Sequence, residues 1–573
     1  MNKAIKEKEE KIYLGLKIIC CVVIAVAAGW NISKLSSIHV LYDEFGYSAS
    51  AAYYAGHDWS SVANHSAYYG YGYGMLLSIL MRLAQGNMTL YYQMGIMLNI
   101  LMLIGSFWVS CSVGRRLFPK VSKYVIVVFA CLTTFYSNTM CQSNILWTET
   151  ILYFLFWLSL WFMIRILDRQ KISDMLGLSV TAVYMYMVHQ RAIVIIIAVL
   201  MVMAIRAVIS KDKKTGVIIL LFIILMIGLD SLLKTDIKQG MWGTGLSNSN
   251  DFSGQSSKIV DIFTTWSGFR LFITGVLGKV YYLLSASLLF VGFYAAGVIN
   301  KIVKKDCTDA YVHTYLALCL AGATAVSAIF MLYGSRQDTL IYGRYTEYVI
   351  GPILMLGMLY LWSQEYSKAA FRAILLLTVG TAAVVYVKLA RTGWTAYNMI
   401  CAIGLSQIFD GGHPAGIQPL IGAIISILLC MLMVLFVKRR KQNVYVLVMT
   451  GLVPLAFWSY TNYNVMDVIA RTSESNAFYE ETADSLREYS EDGEIPIYYL
   501  TQAADFESRY IEVVQYYLCD IPITYVEDED KEDYDLSAGI LVMDQRCADI
   551  SGVLSDFQMV QQVGDMYIFV PII

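Results

Sequence analysis

Blocks of about 16–25 apolar residues, separated by short runs of lysine and arginine, recur along most of the chain. A helical block of that length matches a hydrocarbon core about 30 Å thick. In lipid, every backbone N–H and C=O must find its partner within the protein, so the pattern restricts the fold to a many-spanning helical bundle. Composition agrees: 57% of the 573 residues are hydrophobic, 15% are charged and the mean hydropathy is +0.56. A soluble chain would carry about 25% charged residues. The net charge of -2, with no basic domain, argues against nucleic acid as a partner. The 11 cysteines lie mostly inside apolar blocks (Cys20, Cys21, Cys111, Cys131, Cys319, Cys430) and show no paired spacing. Neither a disulfide framework nor a zinc site is implied.

Lysine and arginine gather in seven places: Lys3 to Lys11, Arg115 to Lys123, Arg165 to Lys171, Arg206 to Lys214, Lys301 to Lys305, Lys368 with Arg372, and Lys438 to Lys441. The positive-inside rule assigns all seven to the cytoplasm. Consecutive clusters are then joined by an even number of crossings. The expected crossings are 13–33, 88–112, 121–139, 148–167, the two arms of a hairpin over 174–208, 215–233, 272–298, 311–333, 346–363, 369–390, 416–437 and 443–461, about 13 in all. The first block has no small-residue cleavage site and reads as a retained anchor. Residues 34–87 become a large outer loop, with 72–85 as a juxtamembrane or re-entrant piece too short to span. Residues 1–461 form the membrane domain. The tail, 462–573, is acidic and alternates helical patterns (Glu480 to Tyr489, Glu507 to Leu518) with apolar runs (Ile495 to Leu500, Ile523 to Val526, Gly539 to Met543). This predicts a small extracytoplasmic α/β domain. The run Glu527-Asp528-Glu529-Asp530 reads as a solvated loop.

With this topology the outer segments hold the chemistry. Asp43 and Glu44 follow the first crossing. After them come an amphipathic stretch (Ser48 to Ala55), Gly56-His57-Asp58-Trp59, the run Tyr68-Tyr69-Gly70-Tyr71-Gly72-Tyr73-Gly74, a Gly86-Asn87 break, and a crossing containing Asn99. Glu149, in Leu146-Trp147-Thr148-Glu149-Thr150, sits at the outer end of the fourth crossing, where an unpartnered carboxylate is costly. His189-Gln190-Arg191 marks a hairpin tip, either snorkelling at the interface or touching a ligand. Gly343-Arg344-Tyr345 precedes the tenth crossing. A guanidinium there suits a lipid phosphate, because its forked donors match phosphate and its charge is permanent. Arg336, Arg270 and Arg82 suit anionic headgroups equally well. Most of the 42 tyrosines read as packing or interface residues, although those near 68–73, Tyr71 and Tyr73 among them, present faces for stacking on a sugar. His413-Pro414 reads as a turn. Asp43, Glu44, Glu149 and His57 carry donors for a divalent metal ion, and their spacing leaves its presence open.

The ordered set over residues 40–118 resembles the GT-C superfamily of polytopic glycosyltransferases, and most of all the branch of the lipid A aminoarabinose transferases and protein O-mannosyltransferases. His57 is an insertion in a Gly-Asp-Trp-like turn, and Tyr71-Gly72-Tyr73-Gly74 stands where proline is commoner. The resemblance implies a polyprenyl-phosphate sugar as donor and an inverting transfer to a cell-envelope glycan, lipid or protein. It implies Asp43 as general base, with Glu44 supporting it or replacing it, and Glu149 as the second acid of the site. Arg344, Tyr345, Arg191, His189, His57, Tyr71 and Tyr73 become the expected substrate-binding residues. The cell membrane of a bacterium is the expected location, with the site and C-terminus outside. Two other readings stand beside this one: a polymerase or ligase of lipid-linked polysaccharide, and a transporter or flippase. A transferase requires Asp43, Glu149 and Arg344 to converge on one outward cavity, whereas a transporter needs a path reaching both faces.

Overall fold

The computed structural model describes residues 3–243, 255–394, 396–409, 416–439, 443–501, 510–544, 557–563 and 566–572. His413, Pro414, Glu507 and Lys441, singled out above, lie outside these residues. Ten helices among the described residues are long and apolar enough to cross a membrane, and the chain is a multi-pass membrane protein. Three further expected crossings correspond to shorter apolar helices, Lys123–Thr134, Ile172–Val188 and Ile350–Ser363.

Local chemistry sets the helix ends. The Asn87 side chain accepts from Leu90 N and opens the helix Met88–Leu117, and Ser367 accepts from Ala370 N to open Lys368–Thr392. Gly393, at φ 65°, closes the second.

Two expected crossings are broken. The block 272–298 splits into Trp266–Ala286 and Phe290–Val303, with Leu288 and Leu289 at φ 50° and 64°. Remote donors stabilise this break. Trp458 Nε1 donates to Ala286 O at 3.2 Å and Ser426 Oγ to Ser285 O at 2.7 Å. The block 121–139 likewise stops at Thr134, where Asn462 Nδ2 donates to Phe135 O at 3.0 Å. In lipid a freed carbonyl must be met by the protein itself, and here it is. The expected crossing 346–363 starts later, at Ile350, after a separate turn of helix, Arg344–Glu347.

The segment 34–87 is largely helical. Asp43 and Glu44 lie inside the helix Leu41–Ala55, rather than ahead of a helix beginning at Ser48. The apolar piece 72–85 forms the helix Gly72–Ala84, which packs across it. Close approach requires glycine here, since a Cβ on Gly74 would run into the Ser50 side chain and Ala51 N.

The last long helix, Val444–Asn476, passes through the expected 461/462 boundary without a break. Its far end steers the chain toward Asp43: Ser473 Oγ donates to Ser37 O at 2.7 Å and Asn476 Nδ2 to Ile38 O at 2.9 Å. Beyond it lies a five-stranded sheet in the order β2-β1-β3-β5-β4. Strands β1 (Ile497–Thr501), β2 (Ile523–Glu527) and β3 (Ile540–Asp544) are parallel, while β4 (Phe557–Val563) and β5 (Met566–Pro571) add antiparallel pairings. The expected acidic loop after β2 is a 3-10 turn, Asp528–Asp533, with no buried residue. The tail docks on the 34–87 segment. Trp59 Nε1 donates to Cys519 O at 2.5 Å, Tyr525 N to Ser61 Oγ at 2.7 Å, and His65 stacks on Tyr525 at 3.7 Å.

Candidate active site

Adjacent residues on a helix point about 100° apart, so Asp43 and Glu44 cannot do the same job. Glu44 turns into the protein and is fully buried. Its Oε2 accepts from His39 N at 2.8 Å and Val40 N at 2.7 Å, capping the start of its own helix. Its Oε1 accepts from Tyr92 OH at 2.6 Å and Leu146 N at 2.8 Å. Burial pushes the neighbouring His39 imidazole below its ordinary pKa. With four donors on its two oxygens, Glu44 is held as a structural anchor.

That anchor positions the next segment. Asn99 Nδ2 donates to Ser143 O at 3.3 Å and Ile145 O at 3.0 Å, and Tyr73 OH donates to Asn99 Oδ1 at 2.8 Å. Glu44, Asn99 and Tyr73 thus fix the turn before Glu149, the first residue of the helix Glu149–Arg169.

Asp43 turns the other way. Its Oδ2 pairs with Arg344 Nη1. Glu149 Oε1 accepts from Arg344 Nε at 2.5 Å and from Arg191 Nη2 at 2.7 Å. Arg344 stacks on Trp147 at 3.6 Å, and Arg191 lies over Tyr345 at 4.6 Å. Two acids and two guanidinia therefore form one buried cluster with no net charge. Buried ions persist when they are paired in this way. Arg191 Nε and Nη1 are buried without a hydrogen-bond partner among the described residues.

Arg344 sits on its single turn of helix because Glu347 holds that turn. Glu347 Oε1 accepts from Tyr136 OH at 2.5 Å and Tyr282 OH at 2.7 Å, and Tyr282 OH accepts from Gly404 N at 2.9 Å. A Cβ on Gly343 would enter the Tyr282 ring, so only glycine permits this approach. Glu347 precedes the membrane helix that begins at Ile350, and burial pushes its carboxyl up to about 8.

The cluster opens into a cavity of about 480 Å³, bordered by Asp43, Tyr69, Trp147, Arg336, Arg344 and Tyr345 among others. Small-molecule sites are typically about 300–1,000 Å³. Among the described residues Asp43 is the one carboxylate on its wall; Glu149 lies behind Arg344. On the rim, Arg336 is 43% exposed against 7% for Arg344, and it grips Asp338 through Nε (3.0 Å) and Nη2 (2.8 Å).

The structure thus brings together Asp43, Glu149, Arg191, Arg344 and Tyr345. His189 joins them, with its ring 5.7 Å from Tyr69 and 5.9 Å from Tyr345. It does not bring His57, Tyr71 or Tyr73 to the cavity. His57 is half-buried in the turn facing the tail, Tyr71 OH donates to Asp230 Oδ1 at 2.9 Å, and Tyr73 is spent on Asn99. Tyr69 is the residue of the aromatic run that borders the cavity. The four expected metal donors are not gathered: Asp43 and Glu149 face guanidinia, Glu44 is enclosed, and His57 is elsewhere. Among the described residues no group of three or more histidine, cysteine or acidic side chains is placed to hold a metal ion. Sequence reasoning offered the tyrosines near 68–73 as a group without choosing Tyr69, and gave no role to Trp147, Asp338, Glu347 or Asn398, whose N donates to Asp338 Oδ1 at 2.9 Å. Asp338 and Glu347 offered a signal, as ionisable residues flanking Gly343-Arg344-Tyr345 amid apolar sequence.

Two solved structures of ArnT from Cupriavidus metallidurans share this architecture. The apo state matches with a TM-score of 0.52 at 13% identity, covering 96% of this chain and 97% of that one. The form bound to undecaprenyl phosphate matches at 0.53 and 13%, covering 97% and 98%. The oligosaccharyltransferase AglB from Archaeoglobus fulgidus, in complex with an inhibitory peptide and a dolichol-phosphate, matches at 0.44 and 12%, covering 94% of this chain and 70% of that one. No family model and no curated protein sequence matches the chain. The fold, an all-helical polytopic membrane bundle with a small C-terminal α/β region, is the one seen in ArnT.

Proposed function

We propose that this protein is an inverting glycosyltransferase. It takes a sugar from a polyprenyl-phosphate donor on the extracytoplasmic side of a bacterial membrane and passes it to a glycan, lipid or protein. The observation that carries the reading is the placement of Asp43. It is the one carboxylate on the cavity wall among the described residues, and Arg344 ties it to Glu149, which in turn pairs with Arg191. A single cavity walled by Asp43 and Arg344, with Glu149 paired to Arg344 behind it, fits a transferase better than a transport path. The undecaprenyl phosphate bound by ArnT, a protein of the same fold, supports the donor class.

In this reading Asp43 accepts the proton of the acceptor hydroxyl as its oxygen attacks the anomeric carbon. The bond from that carbon to the phosphate oxygen breaks, and the phosphate keeps the electron pair. A carboxylate suits the first task and a guanidinium the second, since charge develops on the leaving phosphate. Glu149 and Arg191 hold Arg344 in place. Tyr69 and Tyr345 offer aromatic faces to the sugar.

The test incubates purified protein in lipid with a panel of radiolabelled polyprenyl-phosphate sugars and an envelope extract as acceptor. Wild type transfers label from at least one donor, and Asp43→Asn loses at least about 100-fold in rate, the typical contribution of a general base. Transfer from no donor, or equal transfer by both proteins, refutes the reading.

A further inference from the structure

A second charged cleft lies beside the candidate active site. The helices Trp266–Ala286 and Lys368–Thr392 enclose about 460 Å³, and the charged residues lining it are Arg270, Lys388 and Arg391. All three are cations, and none has a carboxylate partner among the described residues. The cationic residues of the active-site cavity differ in this respect, because Arg344 and Arg336 are both paired.

The two sites share a wall. Lys388 Nζ lies 5.1 Å from the ring of Trp394, whose carbonyl accepts from Gln337 Nε2 at 2.7 Å. Gln337 adjoins Arg336 on the cavity rim. The cleft is therefore at the same end of the bundle as the active site.

Apolar residues continue down the same helices: Leu271, Ala383, Val384 and Val387 line the cleft itself, and Leu377 lies further along the second helix, where it lines a separate apolar groove of about 700 Å³. Leu377 precedes Lys388 by three turns, about 16 Å of helix. Cations at the end of the spans, with apolar side chains beside them on the same two helices, complement a lipid that carries a phosphate.

We propose that this cleft binds a lipid phosphomonoester, with its phosphate among Arg270, Lys388 and Arg391 and its chain against Leu271, Val384 and Val387, and that it receives the spent polyprenyl phosphate after transfer. The identity of the lipid rests on the transferase reading; the binding does not. Transfer converts a phosphodiester with one negative charge into a monoester with about −1.5 to −2 at neutral pH. Three unpaired cations favour the more highly charged product over the donor, which clears the active site in the productive direction. A bulk phospholipid is a diester and lacks the second charge.

The test measures binding to the full-length chain in phosphatidylcholine nanodiscs by native mass spectrometry. The probes are a polyprenyl monophosphate, its methyl diester, phosphatidylglycerol and inorganic phosphate. Wild type is expected to hold two monoester lipids, one at each site, with the cleft preferring monoester to either diester by about tenfold, as one additional charge near several cations allows. Lys388→Gln/Arg391→Gln, both on accessible surface, is expected to hold one and to lose the preference. Unchanged binding in this variant overturns the proposal. Equal binding of phosphatidylglycerol does so too, by making the cleft a general anionic-lipid surface, as does full displacement by inorganic phosphate. The measurement needs no turnover. A chain that transfers no sugar but binds the monoester here refutes only the transferase reading, and the converse result refutes only this one.

Discussion

Glu149→Gln tests whether the buried cluster is held by charge balance. In the wild type one carboxylate oxygen, Oε1, meets both Arg344 Nε at 2.5 Å and Arg191 Nη2 at 2.7 Å. Unit charges about 4 Å apart attract by about 4 kcal/mol at an effective dielectric of 20. Removing one partner of a buried pair costs about 3–5 kcal/mol, because the other ion stays buried. After the substitution Arg344 still has Asp43. Arg191 has no carboxylate left, and its Nε and Nη1 are already without partners. The full penalty therefore falls on Arg191. Replacing it as well, in Glu149→Gln/Arg191→Gln, leaves the neutral pair Asp43–Arg344 and is expected to regain about 1–3 kcal/mol, the usual coupling between contacting residues. The assay is the unfolding midpoint of purified protein in detergent, followed by tryptophan fluorescence, with Trp147 stacked on Arg344 as a local reporter. The double variant must be more stable than Glu149→Gln. A double variant at or below that single variant refutes the charge-balance argument.

Other consequences are simpler. Tyr92→Phe removes one of four donors to Glu44 and is expected to cost about 1–3 kcal/mol in the same unfolding assay, with transfer per folded molecule kept. Loss of transfer without loss of stability would return Glu44 to the chemistry. The Glu347 carboxyl has its folded-state pKa raised, so it is neutral at pH 7 and becomes an anion as pH passes about 8. Stability falls as pH rises from about 4.5, the free carboxyl value, to about 8 and is level above it, the transfer rate falls as the anion forms near 8, and Glu347→Gln shows neither change; identical pH profiles would refute the assignment. Trp59→Phe loses the bond to Cys519 O and is expected to make the tail more sensitive to limited proteolysis while the membrane helices stay protected.

The bundle was legible because lipid permits few alternatives: a long apolar block has to be helical. The breaks after Thr134 and Ala286 were not legible. They occur within apolar sequence, and the donors that make them tolerable, Asn462 and Trp458, lie more than a hundred residues away in sequence. The convergence of Asp43, Glu149 and Arg344 was foreseeable, since each is an ion in apolar surroundings that needs a partner. Choosing between Asp43 and Glu44 was a matter of helical phase. An expected helix start at Ser48 left both acids in a loop; the actual start at Leu41 sends one to the cavity and the other to Tyr92 and Leu146. The same phase problem misplaced the aromatic contact. Tyr71 and Tyr73 lie at the start of the helix Gly72–Ala84 and face other helices, while Tyr69, ahead of that helix, reaches the cavity.

Charge balance also accounts for the pairing of Asp43 with Arg344. A free carboxylate on the cavity wall would repel an incoming donor phosphate. Paired with Arg344, it presents no net charge, and the cluster of Asp43, Glu149, Arg191 and Arg344 is neutral as a whole. Under the transferase reading, a donor phosphate brings a negative charge that competes with Asp43 for the same guanidinium. As Arg344 turns toward the phosphate, Asp43 loses its partner and becomes a stronger proton acceptor. Donor binding then frees the base. The same logic makes release of the monoester product the difficult step, since its added charge tightens the hold of Arg344. An adjacent cleft with three unpaired cations would relieve that hold.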